Sequence, residues 1–243
     1  MPTQQLDYFS TLVAEDEHFP LTEASIAVAQ HAFPDLDVQH VLDEIDHDFY
    51  APENSYIHHV LQSRRGIPIS LAILMMELGN QIGLKVKGIS FPNHFMLRVS
   101  LPQGEVIMDP LTGTSLAKHE LQEMLDPYLE ARGYVGDLQL PLNVFLRVSS
   151  SREILSRFLR NLKLIYTEHE RWERLLGVQQ RLVILLPDSL EEVRDRGLIF
   201  AQLEYLRPAI EDMQTYLSGQ PDASDAEEIR EHISTLENQV RQH

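Results

Sequence analysis

A histidine at position 94 opens one short alternating segment, "HFMLRVS", and an aspartate at position 109 closes the next, "EVIMD". An imidazole held by a carboxylate is the general-base half of a nucleophilic triad. The acid sets the ring tautomer, and the ring takes the proton of the attacking group. Side chains alternate along a strand, so His94, Met96 and Arg98 share one face. An even number of loop residues pairs even positions of the first strand with odd positions of the second, which projects His94 and Asp109 to the same side. The attacking group is harder to find. The chain has no cysteine, which removes thiolate nucleophiles, disulfides and thiolate metal sites together. The nearest hydroxyl in an apt place is Ser70, in the first turn of the helix that precedes the strands. A serine there more often bonds local backbone than attacks, and it would need an oxyanion hole as well as a base.

The elements that must position these groups follow from periodicity. "TEASIAVAQHAF" and "VQHVLDEIDHDF" place apolar residues at three- and four-residue steps and read as amphipathic helices. In "RRGIPISLAILMMELGNQIGL", Pro68 suits a first helical turn, the following residues are apolar on most sides and predict a buried central helix, and Gly83 stops it. The period then changes to alternation in "KVKGISF", "HFMLRVS" and "EVIMD", which read as short strands. Residues 118–131 return to helix. "GYVGDLQLPLN", with two glycines and a proline, is the natural internal boundary. It divides the chain into residues 1–137 and an all-helical part, 138–243.

That second part carries a repeat. Pro187 and Pro221 are 34 residues apart, the tetratricopeptide period. Leu159, Leu162, Tyr166, Leu182 and Pro187 fit one unit; Val193, Gly197, Phe200, Ala209, Tyr216 and Pro221 fit the next. "SLEE" at Ser189 and "DAEE" at Asp225 each predict a capping box. The last helix would close the array.

Bulk properties bound the function. The chain has 243 residues, 43% hydrophobic and 23% charged, as in ordinary globular proteins. Its formal charge of −17 repels phosphate backbones and anionic headgroups, so neither nucleic acid nor a membrane surface is an expected partner. No run of about 18 apolar residues predicts a membrane span, and the N-terminal segment lacks the pattern of a signal peptide, so a cytoplasmic location is expected. There is no glycine-rich phosphate loop or dinucleotide fingerprint, and no cofactor is expected. His40, Glu44 and His47 fall on one helix face, but an exposed face explains them more cheaply than a metal, so no metal is expected. His58 and His59 are adjacent and point apart on a helix. Arg64, Arg65 and Arg98 are candidate anion-binding groups, with Glu105 the obvious structural partner of Arg98.

Three stretches together, "NSYIHHVLQSRRGIPISLAILMMELGNQIGL", "FPNHFMLRV" and "MDPLTG", resemble the SirB-type family, which joins a transglutaminase-like domain to a TPR-like tail. "REILSRFLRNLKLIY" and "VRDRGLIFAQLEYLRPAIEDMQTYL" resemble that tail. The resemblance covers roughly residues 40–240. It implies an α+β, papain/transglutaminase-like domain, with helices packed on a small antiparallel sheet, followed by an all-α TPR-like domain. Active transglutaminase-like enzymes begin the corresponding helix with a Gly-x-Cys-like element. Gly66 matches that glycine and Ala72 the following alanine, which puts Pro68 at the cysteine. Ser70 lies two residues on, rotated about 200° around the helix, and does not simply replace the thiol. Asn93 stands where the family's "PGHF"-like turn has glycine, and Thr114 where a second glycine follows "DP".

Two expectations follow. The first is a noncatalytic regulatory or adaptor protein that binds a peptide or protein through a degenerate cleft, lined by Arg65, Asn93 and Arg98, and through a TPR-like groove. The second is a divergent hydrolase or acyltransferase of amide or thioester bonds, with His94 as base, Asp109 orienting it and Ser70 or water attacking. The missing thiol favours the first. Oligomeric state is left open.

Overall fold

The computed structural model describes residues 2–14, 51–134 and 140–242. The helices expected around "TEASIAVAQHAF" and "VQHVLDEIDHDF", and the trio His40, Glu44 and His47, lie outside the described residues. The described chain forms two compact units: residues 51–134 with 140–158, and residues 2–14 with 159–242.

The first unit begins with a 3₁₀ turn, Pro52–Ser55. Writing α1 for the helix Pro2–Ala14 of the other unit, the next helices are α2, Ile57–Ser63, and α3, Pro68–Gln81. Pro68 is the first helical residue of α3, where its fixed φ and missing N–H cost nothing. The helix stops in a Schellman arrangement: Leu84 N–H donates to Gly79 O at 2.8 Å and Gly83 N–H to Asn80 O at 3.1 Å, with Gly83 at φ +80°. Four strands follow, β1 Lys85–Phe91, β2 His94–Leu101, β3 Gly104–Met108 and β4 Ser115–Leu116, in an antiparallel sheet of that same order. β1 and β2 are joined by Pro92–Asn93, with Asn93 at φ +59°. Asparagine tolerates this left-handed conformation better than most residues, so the turn survives without glycine. The two-residue loop Pro102–Gln103 joins β2 to β3 and pairs Arg98 with Ile107 and Leu97 with Met108, the even-with-odd register that an even loop dictates.

This register sorts the sheet into two faces. Val86, Gly88, Phe95, Leu97 and Val99 share one; Ile89, Phe91, His94, Met96 and Arg98 share the other. α3 packs on the first, so closely that a Cβ on Gly79 would lie 2.5 Å from Val86 Cγ2. The second face packs on α4, Lys118–Glu130, and α5, Leu142–Phe145: Ile89, Phe91 and Met96 form one core with Leu121, Leu125, Leu129 and Leu142. α3 itself is not buried all round, as its composition predicted. Ile69, Ala72, Ile73 and Met76 are inside, but Leu78 and Ile82 are 57% and 75% exposed.

The division expected after residue 137 falls later in the structure. Residues 140–158 pack with the sheet, because Ser149 N–H donates to Gly88 O at 2.9 Å, Ser90 N–H donates to Ser149 Oγ at 2.9 Å, and Arg98 donates to Leu146 O.

The second unit consists of α1, the latter part of α6 (Ser151–Glu168), α7 (Trp172–Leu185), α8 (Leu190–Gln202), α9 (Leu206–Gly219) and α10 (Ala226–Gln242). The repeat is visible in the backbone. Glu170 and Glu204 both take positive φ, 53° and 60°, and each is followed by an N–H bonded five residues back, Arg171 to Tyr166 O and Tyr205 to Phe200 O, both at 2.9 Å. Gly197 and Ala209 sit where α8 and α9 cross. A Cβ on Gly197 would lie 3.1 Å from Ala209 O, so small residues set this close approach. α10 closes the array, its Ile229 and Leu236 buried with Ala209, Met213 and Tyr216. Neither expected capping box forms as such. Ser189 Oγ donates to Glu191, Glu192 turns inward to α6 and α7, and Asp225 accepts from Arg194 and Tyr216.

Candidate functional site

The start of α3 is a tied joint. Ser70 is fully buried, and its Oγ donates to Asn54 O at 2.8 Å and to Ile67 O at 3.0 Å. Ile67 N–H donates to the same Asn54 carbonyl at 3.2 Å. The hydroxyl therefore anchors the first turn of α3 to the 3₁₀ turn before α2, the local backbone role open to a first-turn serine.

His94 lies elsewhere. It is exposed at the start of β2, on the face turned away from α3. No hydrogen bond joins it to Ser70 or to Asp109 among the described residues. One further step of the β2–β3 register sets Asp109 opposite Met96 and diagonal to His94. The Asp109 carboxylate is spent on its own turn: Oδ1 accepts from Leu111 N–H at 2.8 Å, while the main chain bonds Thr114 O and Gly113 N–H at 3.0 and 2.9 Å. α3, which carries Ser70, packs on the Val86 face, strand alternation puts His94 and Asp109 on the other, and no hydrogen bond links Ser70 to His94 among the described residues.

The three candidate ligand groups are also dispersed. Arg65 is half-buried, with its N–H held by Ser63 Oγ at 3.2 Å. Asn93 forms the β1–β2 turn. Arg98 lies 3.4 Å from Glu105, the expected partner, and also donates to Leu146 O. The sequence reading did not single out Asn54, whose carbonyl organises the joint. The available signal was the polar pair Asn54–Ser55 in the turn just before α2. Of the adjacent histidines, His59 is buried and His58 is half-buried beside Tyr56, ring centroids 5.9 Å apart. Burial holds both imidazoles below their ordinary range, with His59 adding to the effect on His58 and Glu53 opposing it on His59.

In the helical unit, Glu192 is the hub of a polar network. It accepts from Arg160 Nη2 at 2.9 Å, Lys163 Nζ at 3.2 Å and Gln179 Nε2 at 2.9 Å, linking α6, α7 and α8. Burial alone would raise its carboxyl pKa, but hydrogen bonds from Gln179 and Arg160 and the charge of Lys163 hold it below the usual range. Among the described residues no helix is long and apolar enough to cross a membrane, and no cluster of three metal-ligating side chains occurs.

Comparison with known proteins agrees with this architecture. A family model described as the transglutaminase-like superfamily matches residues 17–160, and a tetratricopeptide repeat model matches residues 162–234. A UPF0162 protein of Xylella fastidiosa (strain Temecula1) is 31% identical over 93% of this chain and 92% of its own length. A UPF0162 protein of Vibrio cholerae is 32% identical over 80% of this chain and 71% of its own. Protein SirB1 of Salmonella typhimurium is 29% identical over 74% and 65%. No solved structure matches the chain. The chain belongs to the transglutaminase-like superfamily and, within it, to the SirB1/UPF0162 group that couples this domain to tetratricopeptide repeats.

Proposed function

We propose that this protein is a noncatalytic adaptor that binds a protein or peptide partner. The observation that carries the reading is the state of the α3 start. By the family resemblance Pro68 falls where active members have cysteine, and the Ser70 hydroxyl two residues on is fully buried and bonded to two carbonyl oxygens. A buried hydroxyl committed to main-chain acceptors has no free path to a substrate carbonyl. The repeat unit supports the binding half, since stacked tetratricopeptide helices present extended surfaces for partner chains. Expected partners are protein or peptide rather than nucleic acid or membrane, in keeping with the charge of −17.

Turnover assays on amide and thioester substrates test the reading, with the wild type beside His94→Ala and Ser70→Ala variants. No turnover above buffer is expected from any of the three. Turnover by the wild type that disappears in His94→Ala would establish the hydrolase alternative instead.

A further inference from the structure

Lys87 on β1 and Arg98 on β2 are direct cross-strand neighbours. Two like charges in that position repel at close range and weaken the pairing. Lys85, paired with Ser100, projects from the same face, the one turned away from α3. Both lysines are exposed, and no ion pair holds either among the described residues. Glu105, paired with Ser100 on β3, is the carboxylate of this cluster and lies 3.4 Å from Arg98. Glu153, on α6, is taken by Arg147 and Ser150. Among the described residues, Glu105 is the ion-pair partner of this three-cation cluster, on a protein whose net charge is −17. Arg98 adds an unsatisfied donor: its Nε–H is buried without a hydrogen-bond partner while its two Nη atoms serve Glu105 and Leu146.

Lysines on an edge strand discourage unwanted strand pairing, but that role does not call for an arginine directly across. The surroundings are apolar as well. The segment fastened to the sheet through Leu146 and Ser149 carries Val144 and Val148, which are 53% and 37% exposed. Exposed cations on the sheet and exposed valines on the segment fastened to it complement a chain that carries carboxylates and aliphatic side chains together.

We infer that the β1–β2 face bearing Lys85, Lys87 and Arg98, flanked by Val144 and Val148, docks an acidic, aliphatic-studded peptide segment of a partner protein. This rests on the adaptor reading and names the partner's chemistry. An incoming carboxylate at Lys87 and Arg98 replaces their mutual repulsion with attraction to both.

Fluorescence anisotropy of a labelled peptide alternating glutamate with leucine tests the site on the full chain. The controls are its glutamine–leucine counterpart and a labelled single-stranded oligonucleotide. The wild type is expected to bind the glutamate peptide more tightly than the glutamine peptide, and added salt to weaken that binding. Lys85→Glu/Lys87→Glu is expected to weaken it about tenfold, from two lost surface attractions and two new repulsions. Lys85→Gln/Lys87→Gln is expected to fall between the two. Both lysines are exposed, so circular dichroism of each variant should match the wild type. Equal binding by wild type and the reversal variant overturns the proposal, as do equal affinity for the two peptides and tighter binding of the oligonucleotide at the same lysines. The adaptor reading fails separately, by enzymatic turnover that depends on His94.

Discussion

The Ser70 hydroxyl donates to the carbonyl oxygen of Asn54 at 2.8 Å, joining the first turn of α3 to a turn sixteen residues earlier in the chain. A hydroxyl used in this way contributes to stability. Ser70→Ala is expected to lower unfolding free energy by about 1 kcal/mol, the net value of one buried hydrogen bond. Urea denaturation measures it. The loss stays modest because Ile67 N–H still satisfies the Asn54 carbonyl.

Gly79 and Val86 form a close helix–sheet contact that positions α3. Gly79→Ala places a methyl 2.5 Å from Val86 Cγ2, and valine, stiff at χ1, cannot swing aside. The expected cost is about 1–2 kcal/mol net, after the roughly 1 kcal/mol that alanine gains over glycine in a helix. In a Val86→Ala background the same substitution should become stabilising. That reversal of sign, read from a double-mutant cycle of thermal or urea unfolding, isolates the contact.

Stability is expected to fall on mild acidification. His58 and His59 are held below the ordinary value of 6.5 by burial, so the folded chain binds fewer protons than the unfolded chain as pH drops through that value. The cost of charging the buried rings is absent above it and grows below it until the folded-state values are reached. Thermal midpoints recorded between about pH 7.5 and 5.5 should decline, and a His58→Gln/His59→Gln variant should flatten the slope.

Glu192 makes the opposite contribution at lower pH. Its carboxyl is held below the ordinary value of 4.5 by hydrogen bonds and the charge of Lys163, which outweigh burial, so its stabilisation is present above that value and is lost as pH falls through the lower folded value. Glu192→Gln is expected to cost about 2 kcal/mol at neutral pH. The figure stays under the roughly 3–5 kcal/mol of a fully buried pair because the Arg160 guanidinium still reaches water. Chemical unfolding at neutral pH measures the cost, and an acid titration of both proteins should show their difference shrinking.

Much of this architecture is local and therefore legible in the residue order. Pro68 and Gly83 bound α3 because a missing N–H and a left-handed φ are properties of single residues. Strands β1 to β3 follow the alternation of "KVKGISF", "HFMLRVS" and "EVIMD", and the two-residue loop Pro102–Gln103 is enough to determine which residues pair. The 34-residue spacing of Pro187 and Pro221 announces the repeat, because each unit reuses one helix–turn–helix geometry, down to the left-handed turns at Glu170 and Glu204. The absence of cysteine and the charge of −17 are compositional and need no fold at all.

Tertiary packing decided the rest. Whether Ser70 meets His94 depends on which face of the sheet α3 covers, and no periodicity within α3 or β2 encodes that choice. It emerges when Gly79 admits Val86 and the opposite face finds Leu121, Leu125 and Leu129. The exposure of Leu78 and Ile82 likewise depends on where neighbouring elements end, since an all-apolar helix does not say which side lacks a partner. Glu192 turned inward rather than capping its own helix because Arg160, Lys163 and Gln179 arrive from two other helices. Sequence dictates what each segment can form, but charges and faces are matched only once distant segments are brought within a few ångströms, where packing and electrostatics act.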